Sequence, residues 1–168
     1  MFTVLVLMGV SGCGKSFIGQ RLADKYIFTF ADGDDYHSEQ NKLKMAKGIP
    51  LDDQDRMSWL NQLRDLLSHA QNPTILACSA LKKSYREILC DHSHDTIFIH
   101  LSGSRQVLKD RLTARRDHFF NPSLLDDQLA TLEPLHEDEL GFSINIEQKW
   151  EKIIAEIETK LNDDHSLL

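Results

Sequence analysis

Gly9-Val10-Ser11-Gly12-Cys13-Gly14-Lys15-Ser16 sets three glycines, a lysine and a hydroxyl at the spacing G-x-x-x-x-G-K-[ST]. Such glycines accept positive φ and let the backbone close on a ligand, so successive N–H groups can turn inward onto phosphate oxygens. A helix opening at Lys15 adds partial positive charge at the same point. Lys15 is expected on the β- and γ-phosphates of a nucleoside triphosphate, and the Ser16 hydroxyl on its divalent metal. Cys13 lies among the inward N–H groups, a setting that can lower a thiol's pKa. As a small side chain it reads better as a filler of the loop.

Further along, Asp32-Gly33-Asp34-Asp35 follows a short apolar run. In a parallel sheet, ligands sit beyond the carboxyl ends of the strands. Asp32 is expected to hold the metal, directly or through water. Asp34 is expected to accept a proton from a substrate hydroxyl, or to orient it. In Asp52-Asp53-Gln54-Asp55-Arg56 the acidic residues suit a helix start, but an arginine in a first turn does not. Arg56 reads better as a fork for a substrate carboxylate. Arg111 and Arg115 are i,i+4 neighbours on one helix face, with Arg116 next to them. The loop after them carries His118-Phe119-Phe120, and two phenylalanines in a short polar loop suggest a lid that closes over ligand and excludes water. His92 and His94 read as surface residues.

These groups need a scaffold of alternating elements. Phe2–Met8 is a continuous apolar run, as in a strand buried on both faces. Further strands are expected at 27–31, 74–78, 96–101 and 142–146. Helices are expected at 15–25, 39–47 with Ser38 as N-cap, 52–71, 84–90, 104–116, 124–132 and 147–161. The long helix is expected to bury Met57, Leu60, Leu63 and Leu67, and residues 162–168 to fray. Strands alternating with helices imply an α/β fold with a parallel sheet and right-handed crossovers.

The chain has 168 residues, enough for one domain with a real core. Its three cysteines, Cys13, Cys78 and Cys90, show no metal-ligand spacing and read as reduced thiols of a cytoplasmic protein. No apolar run reaches the ~18 residues of a membrane span, so no membrane partner is expected. The net charge of −7 argues against nucleic acid as a partner. That charge is uneven: residues 1–132 carry 16 acidic and 16 basic side chains, whereas residues 133–168 carry 10 and 3. Every cation proposed above to meet an anion lies in the neutral part. A guanine-specific N-K-x-D is absent, since Asn41-Lys42-Leu43-Lys44 ends in lysine. A short chain with an early phosphate loop and late arginines points to a small-molecule kinase.

The ordered set resembles gluconokinase of the small phosphate-loop type, which is similar to shikimate kinase. The resemblance runs from about residue 4 to 150. It rests on the glycine loop, Asp32-Gly33-Asp34 with His37, Lys44-Met45, and Asp53 with Asp55-Arg56 and Trp59-Leu60. It continues through Cys78-Ser79-Ala80-Leu81-Lys82, Tyr85-Arg86, Arg111, Arg115, His118-Phe119, Gln128 and Thr131-Leu132-Glu133-Pro134. Asp117 and Ser58 depart from it, standing where the family often has Gly and Pro. The resemblance implies a three-layer P-loop kinase fold with a five-stranded parallel sheet of order 2-3-1-4-5 and a helical lid over about residues 111–130. It implies ATP and Mg²⁺ as cofactors, D-gluconate as substrate and a homodimer. Gluconate carries a carboxylate at the end opposite its reactive hydroxyl. Arg56, with Lys82 and Arg86 as helpers, is expected at the first end and Asp34 at the second. His37, His118 and Gln128 are candidates for the hydroxyls between, because each can donate and accept. Arg115 is expected on the transferring phosphoryl group, and Arg111 near the adenine. A kinase for another small hydroxy acid such as shikimate, or a nucleotide-dependent switch, are the competing readings.

Overall fold

The computed structural model of the chain describes residues 2–90, 94–115 and 121–165. Five strands form one parallel sheet in the order β2-β3-β1-β4-β5, with β1 Phe2–Met8, β2 Thr29–Asp32, β3 Thr74–Ala77, β4 His94–Ser102 and β5 Gly141–Asn145. The order is the one the resemblance implies. β1 lies in the centre because it can: Val4 to Met8 are all buried, which a strand flanked by β3 and β4 and covered on both faces requires. Among the described residues, seven helices connect and cover the sheet: α1 Lys15–Tyr26, α2 Glu39–Ala46, α3 Asp53–Ser68, α4 Lys83–Leu89, α5 Arg105–Ala114, α6 Leu125–Thr131 and α7 Trp150–His165. No helix is long and apolar enough to cross a membrane among the described residues.

The register aligns the chemistry. Asp32 pairs with Ala77, Ala77 with Leu7, and Leu7 with Ile99. One row across the sheet therefore ends β2 at Asp32 and brings β1 within two residues of Gly9. The glycine loop, the Asp32 turn and the segment after β3 all emerge at this carboxyl edge.

Several local expectations change. The segment 27–31 does not begin as a strand: Ile27 is the C-cap of α1, at φ 58, and Phe28 N–H returns to Ala23 O at 3.0 Å. The left-handed turn is a helix stop that usually takes glycine. Ile27 is β-branched and 92% exposed, so it gains no burial in return. Ile27→Gly is therefore expected to stabilise the fold by about 1 kcal/mol, raising Tm by roughly 2–4 °C in thermal denaturation. An unchanged or lower Tm would contradict this.

In α3 the buried stripe is Trp59, Leu60, Leu63 and Leu67, and Met57 is exposed. The Trp59 indole N–H donates to Gly33 O at 2.7 Å, which turns that face inward. α3 ends at Ser68 rather than near residue 71, while α7 continues to His165, past the expected end at 161. The expected helix at 124–132 divides into a 3-10 turn over Pro122–Leu124 and α6. His94 is buried, not a surface residue: it opens β4, with Nδ1 3.1 Å from Thr96 Oγ1. His92 lies outside the described residues.

Candidate active site

The loop between β1 and α1 turns at Gly9 and Gly14. At Gly9, φ is +139 and an added Cβ would meet Leu101 O at 2.8 Å and Cys13 Sγ at 2.9 Å. Gly14 is the N-cap of α1 and offers no side-chain cap, so the first N–H groups of that helix remain to be met by a ligand. Val10 and Cys13 are buried. The Cys13 side chain fills the space under Gly9, which favours its reading as packing. Lys15 Nζ donates to Gly9 O at 3.0 Å and Val10 O at 3.1 Å. The ammonium thus folds back over its own loop, close to where phosphates would lie.

Ser16 and Asp32 come together across the sheet edge. The Ser16 hydroxyl donates to Asp32 Oδ2 at 2.5 Å, and Asp32 Oδ1 accepts the Asp34 N–H at 3.0 Å. A hydroxyl and a carboxylate are hard oxygen donors that suit Mg²⁺, whose remaining ligands are ordinarily waters and phosphate oxygens. No cluster of three or more His, Cys, Asp or Glu occurs among the described residues, so a protein-only metal cage is not what they build. Asp34 stands in the 3-10 turn Gly33–Tyr36 that follows, on the same edge as the loop.

On one side of the glycine loop lies a cleft lined by His37, Arg56, Trp59, Ser79, Asp127 and Gln128, with Leu51 and Leu124 as apolar walls. Arg56 is brought there by the start of α3. Asp52 caps the helix by accepting the Asp55 N–H at 2.7 Å, Asp55 returns a bond to the Asp52 N–H at 3.1 Å, and Lys44 grips Asp55 at 2.9 Å through both oxygens. Asp53, by contrast, faces α4. It accepts from the Tyr85 hydroxyl and from Lys82 Nζ at 3.0 Å. These two bonds hold its carboxyl below the usual range. The Tyr85 hydroxyl also accepts from Arg56 Nη1 at 3.3 Å, which braces the guanidinium beside the cleft.

Two expected helpers of Arg56 are placed elsewhere. Lys82 is tied to Asp53 and does not line the cleft. Arg86 is fully buried, with Nε and Nη2 on the Glu139 carboxylate at 2.5 and 2.9 Å. Its other N–H groups meet the carbonyls of Ala80, Leu81, Glu133 and Pro134. With its donors committed to protein acceptors, Arg86 cannot reach a substrate carboxylate. His118 and Arg116 lie outside the described residues.

On the other side of the loop, Arg111 and Arg115 line a second hollow with Gly12, Gly14, Phe17, Gln148 and Trp150. Arg111 Nη2 donates to Ile146 O at 3.2 Å, so its guanidinium bridges α5 and the end of β5. Arg115 caps α5 and is exposed. The glycine loop therefore separates two hollows, one rich in arginine and aromatic surface, the other in groups that can bond a polyol.

Sequence reasoning missed Ser79, Asp127 and Trp59 as lining residues. Ser79 follows β3 at the same carboxyl edge that pointed to Asp32, so the same rule would have found it. Asp127 has no such signal, because its place depends on how α6 folds back.

His37 has a consequence that pH reveals. It is buried, stacked on Trp59 with centroids 4.1 Å apart, and its Nδ1 has no hydrogen-bond partner among the described residues. Burial pushes its pKa down to about 4, despite the nearby Asp34 carboxylate. The folded protein thus binds this proton less readily than the unfolded chain does. The stability His37 contributes is complete above its unfolded pKa, near 6.5, and is lost as pH falls toward 4. Between pH 7 and pH 5 the loss amounts to about 2 kcal/mol. His37→Gln is expected to flatten that stretch of the stability curve in urea titrations. A His37→Gln protein as acid-sensitive as the parent would refute the assignment.

Comparison with known proteins matches this geometry. A family model described as shikimate kinase covers residues 11–161. A protein of Xenopus tropicalis named probable gluconokinase is 40% identical over 177 residues, spanning 95% of this chain and 93% of that one. The thermoresistant gluconokinase of Escherichia coli K12 is 39% identical over 156 residues, spanning 90% and 89%. The crystal structure of a gluconokinase from Sinorhizobium meliloti 1021 superposes with a TM-score of 0.86 at 37% identity, covering 96% of this chain and 92% of the other. The chain belongs to the gluconokinase family, within the wider group that the shikimate kinase model describes.

Proposed function

We propose that the protein transfers the γ-phosphoryl group of ATP to the 6-hydroxyl of D-gluconate, giving 6-phosphogluconate and ADP. The observation that carries this reading is the glycine loop standing between two hollows, with Arg56, His37 and Gln128 lining the one and Arg111 and Arg115 the other. Gluconate offers one carboxylate and a run of hydroxyls, and Arg56 with the neutral His37 and the Gln128 amide matches that pattern. Asp34 takes the proton of the attacking hydroxyl. Lys15 and the loop N–H groups hold the β- and γ-phosphates in line, and Arg115 meets the charge on the transferring group as the lid closes. Mg²⁺, bound at Ser16 and Asp32, would supply further neutralisation of the phosphates. We place the reaction in the cytoplasm, in a homodimer, a state that sedimentation would establish.

The test is ADP release with D-gluconate, its epimers and shikimate. Gluconate should give the highest kcat/KM. A preference for shikimate would reassign the acceptor, and tight nucleotide binding with no acceptor-stimulated release would indicate a switch protein. Asp34→Asn is expected to lower kcat by about 10²- to 10⁴-fold while Mg-ATP still binds. A near-normal rate would remove Asp34 as the base.

A further inference from the structure

Two cleft residues bond the glycine loop among the described residues: Ser79 through its backbone carbonyl, on the Gly9 N–H, and Gln128 through its side chain. Gln128 Oε1 accepts the Ser11 N–H at 2.7 Å, a bond linking positions 117 residues apart. Only the oxygen of a carboxamide can accept from an N–H, so the Gln128 Nε2 must point elsewhere. The side chain lines the acceptor cleft, and no bond from Nε2 to the protein is found among the described residues. The amide is therefore divided, with its acceptor on the loop and its donor available to a ligand in the cleft.

Ser11 N–H belongs to the peptide unit whose carbonyl is Val10 O. That carbonyl accepts from Lys15 Nζ at 3.1 Å and from the Cys13 N–H at 3.3 Å. One rigid, planar peptide is thus gripped at its N–H by Gln128 and at its C=O by Lys15. Rotating it to release one grip disturbs the other. Whatever fixes Gln128 also fixes the carbonyl that Lys15 uses when phosphate is absent.

We infer that Gln128 is a positioning residue that couples the acceptor cleft to the phosphate loop through the Val10–Ser11 peptide. A substrate hydroxyl accepting from Nε2 immobilises the carboxamide. This holds the Ser11 N–H bond and the loop in one conformation, so part of the ordering required by nucleotide has already been met. Acceptor and nucleotide then bind with positive coupling, and linkage makes the effect reciprocal. The proposal rests on the reading of the cleft as the gluconate site.

Nucleotide affinity would be measured by calorimetry with ADP, with and without saturating gluconate, in the parent protein, Gln128→Met and Gln128→Glu. The Ser11 amide would be followed by NMR in the same samples. In the parent, gluconate should tighten ADP binding about 5-fold, the size of one net hydrogen bond, and should shift the Ser11 resonance. Gln128→Met keeps the length but neither bonding group, so coupling should vanish and Ser11 should exchange faster even without ligand. Gln128→Glu keeps an acceptor for Ser11 but has no donor for the cleft. Ser11 protection should persist there while coupling is lost.

Coupling of parental strength in either variant overturns the proposal. Gluconate turnover in a parent protein whose ADP affinity ignores gluconate overturns the coupling alone. Absence of turnover with every aldonate tested overturns the reading of the cleft beneath it.

Discussion

Arg86→Met is expected to destabilise the protein by about 3–5 kcal/mol, as removal of one member of a buried ion pair generally does. The guanidinium is fully buried and the Glu139 side chain is 9% exposed. Burial alone would raise the Glu139 pKa, but Arg86 and the His136 N–H outweigh it and keep the carboxyl ionised below its usual range. Truncation would leave that carboxylate buried with only the His136 N–H, and would take a donor from four carbonyls in the segments 80–81 and 133–134, of which Leu81 O keeps the Glu133 N–H at 2.7 Å. Those carbonyls matter locally. Ala80 holds a left-handed φ of 44, and the neighbouring Ser79 O accepts the Gly9 N–H at 3.2 Å. Loss of Arg86 therefore loosens the segment that supports the glycine loop. Urea unfolding should report the loss, and adding Glu139→Leu should recover only part of it, because the carbonyls of Ala80, Glu133 and Pro134 still lack the donors Arg86 gave them. A change below about 1 kcal/mol would show the pair to be dispensable.

Arg115→Ala is expected to lower kcat by about 10³- to 10⁵-fold and to change ATP affinity only a few-fold. This is the pattern of a group that meets charge only in the transition state. Arg115 sits at the C-cap of α5 beside the hollow that also holds Gly12 and Gly14, at the base of the segment read as a lid. Arg111, bonded to Ile146 O on the same helix face, provides the contrast. Its truncation should act mainly on the KM for ATP. Arg115→Lys should restore little, because an ammonium lacks the planar fork. Single-turnover kinetics and nucleotide titration separate the two effects. Equal losses in rate and affinity, or none, would take Arg115 out of the catalytic role.

The glycine loop, its helix and the Asp32 turn were legible in the sequence because each is a local pattern with a local cause. Sheet order followed from the family resemblance, and parallel pairing from the alternation of strand and helix. What escaped was set by distance along the chain. Arg86 looked like a free cation because its type is visible and its burial is not; its carboxylate partner lies 53 residues away. His94 looked like a surface residue for the same reason. Trp59 displaced Met57 from the core face through a bond to Gly33, 26 residues earlier. Ile27 was misread because its apolar, β-branched side chain mimics a strand start, whereas the backbone needed a helix stop. Gln128 was singled out for the polyol, but its hold on Ser11 depends on the fold-back of α6, which no spacing reveals.

The chain has only two tryptophans, and each hollow holds one. Trp59 lies beneath His37 at the wall of the acceptor cleft, and Trp150 stands half-exposed beside the arginines, edge-on to Phe17. The indoles are thus native optical reporters, one for each hollow. On the proposed assignment of the hollows, emission from a protein carrying Trp150→Phe is expected to follow occupancy of the acceptor side alone, and the difference from the parent the nucleotide side. The order in which the two ligands enter can then be read in a stopped-flow trace, without attaching any label.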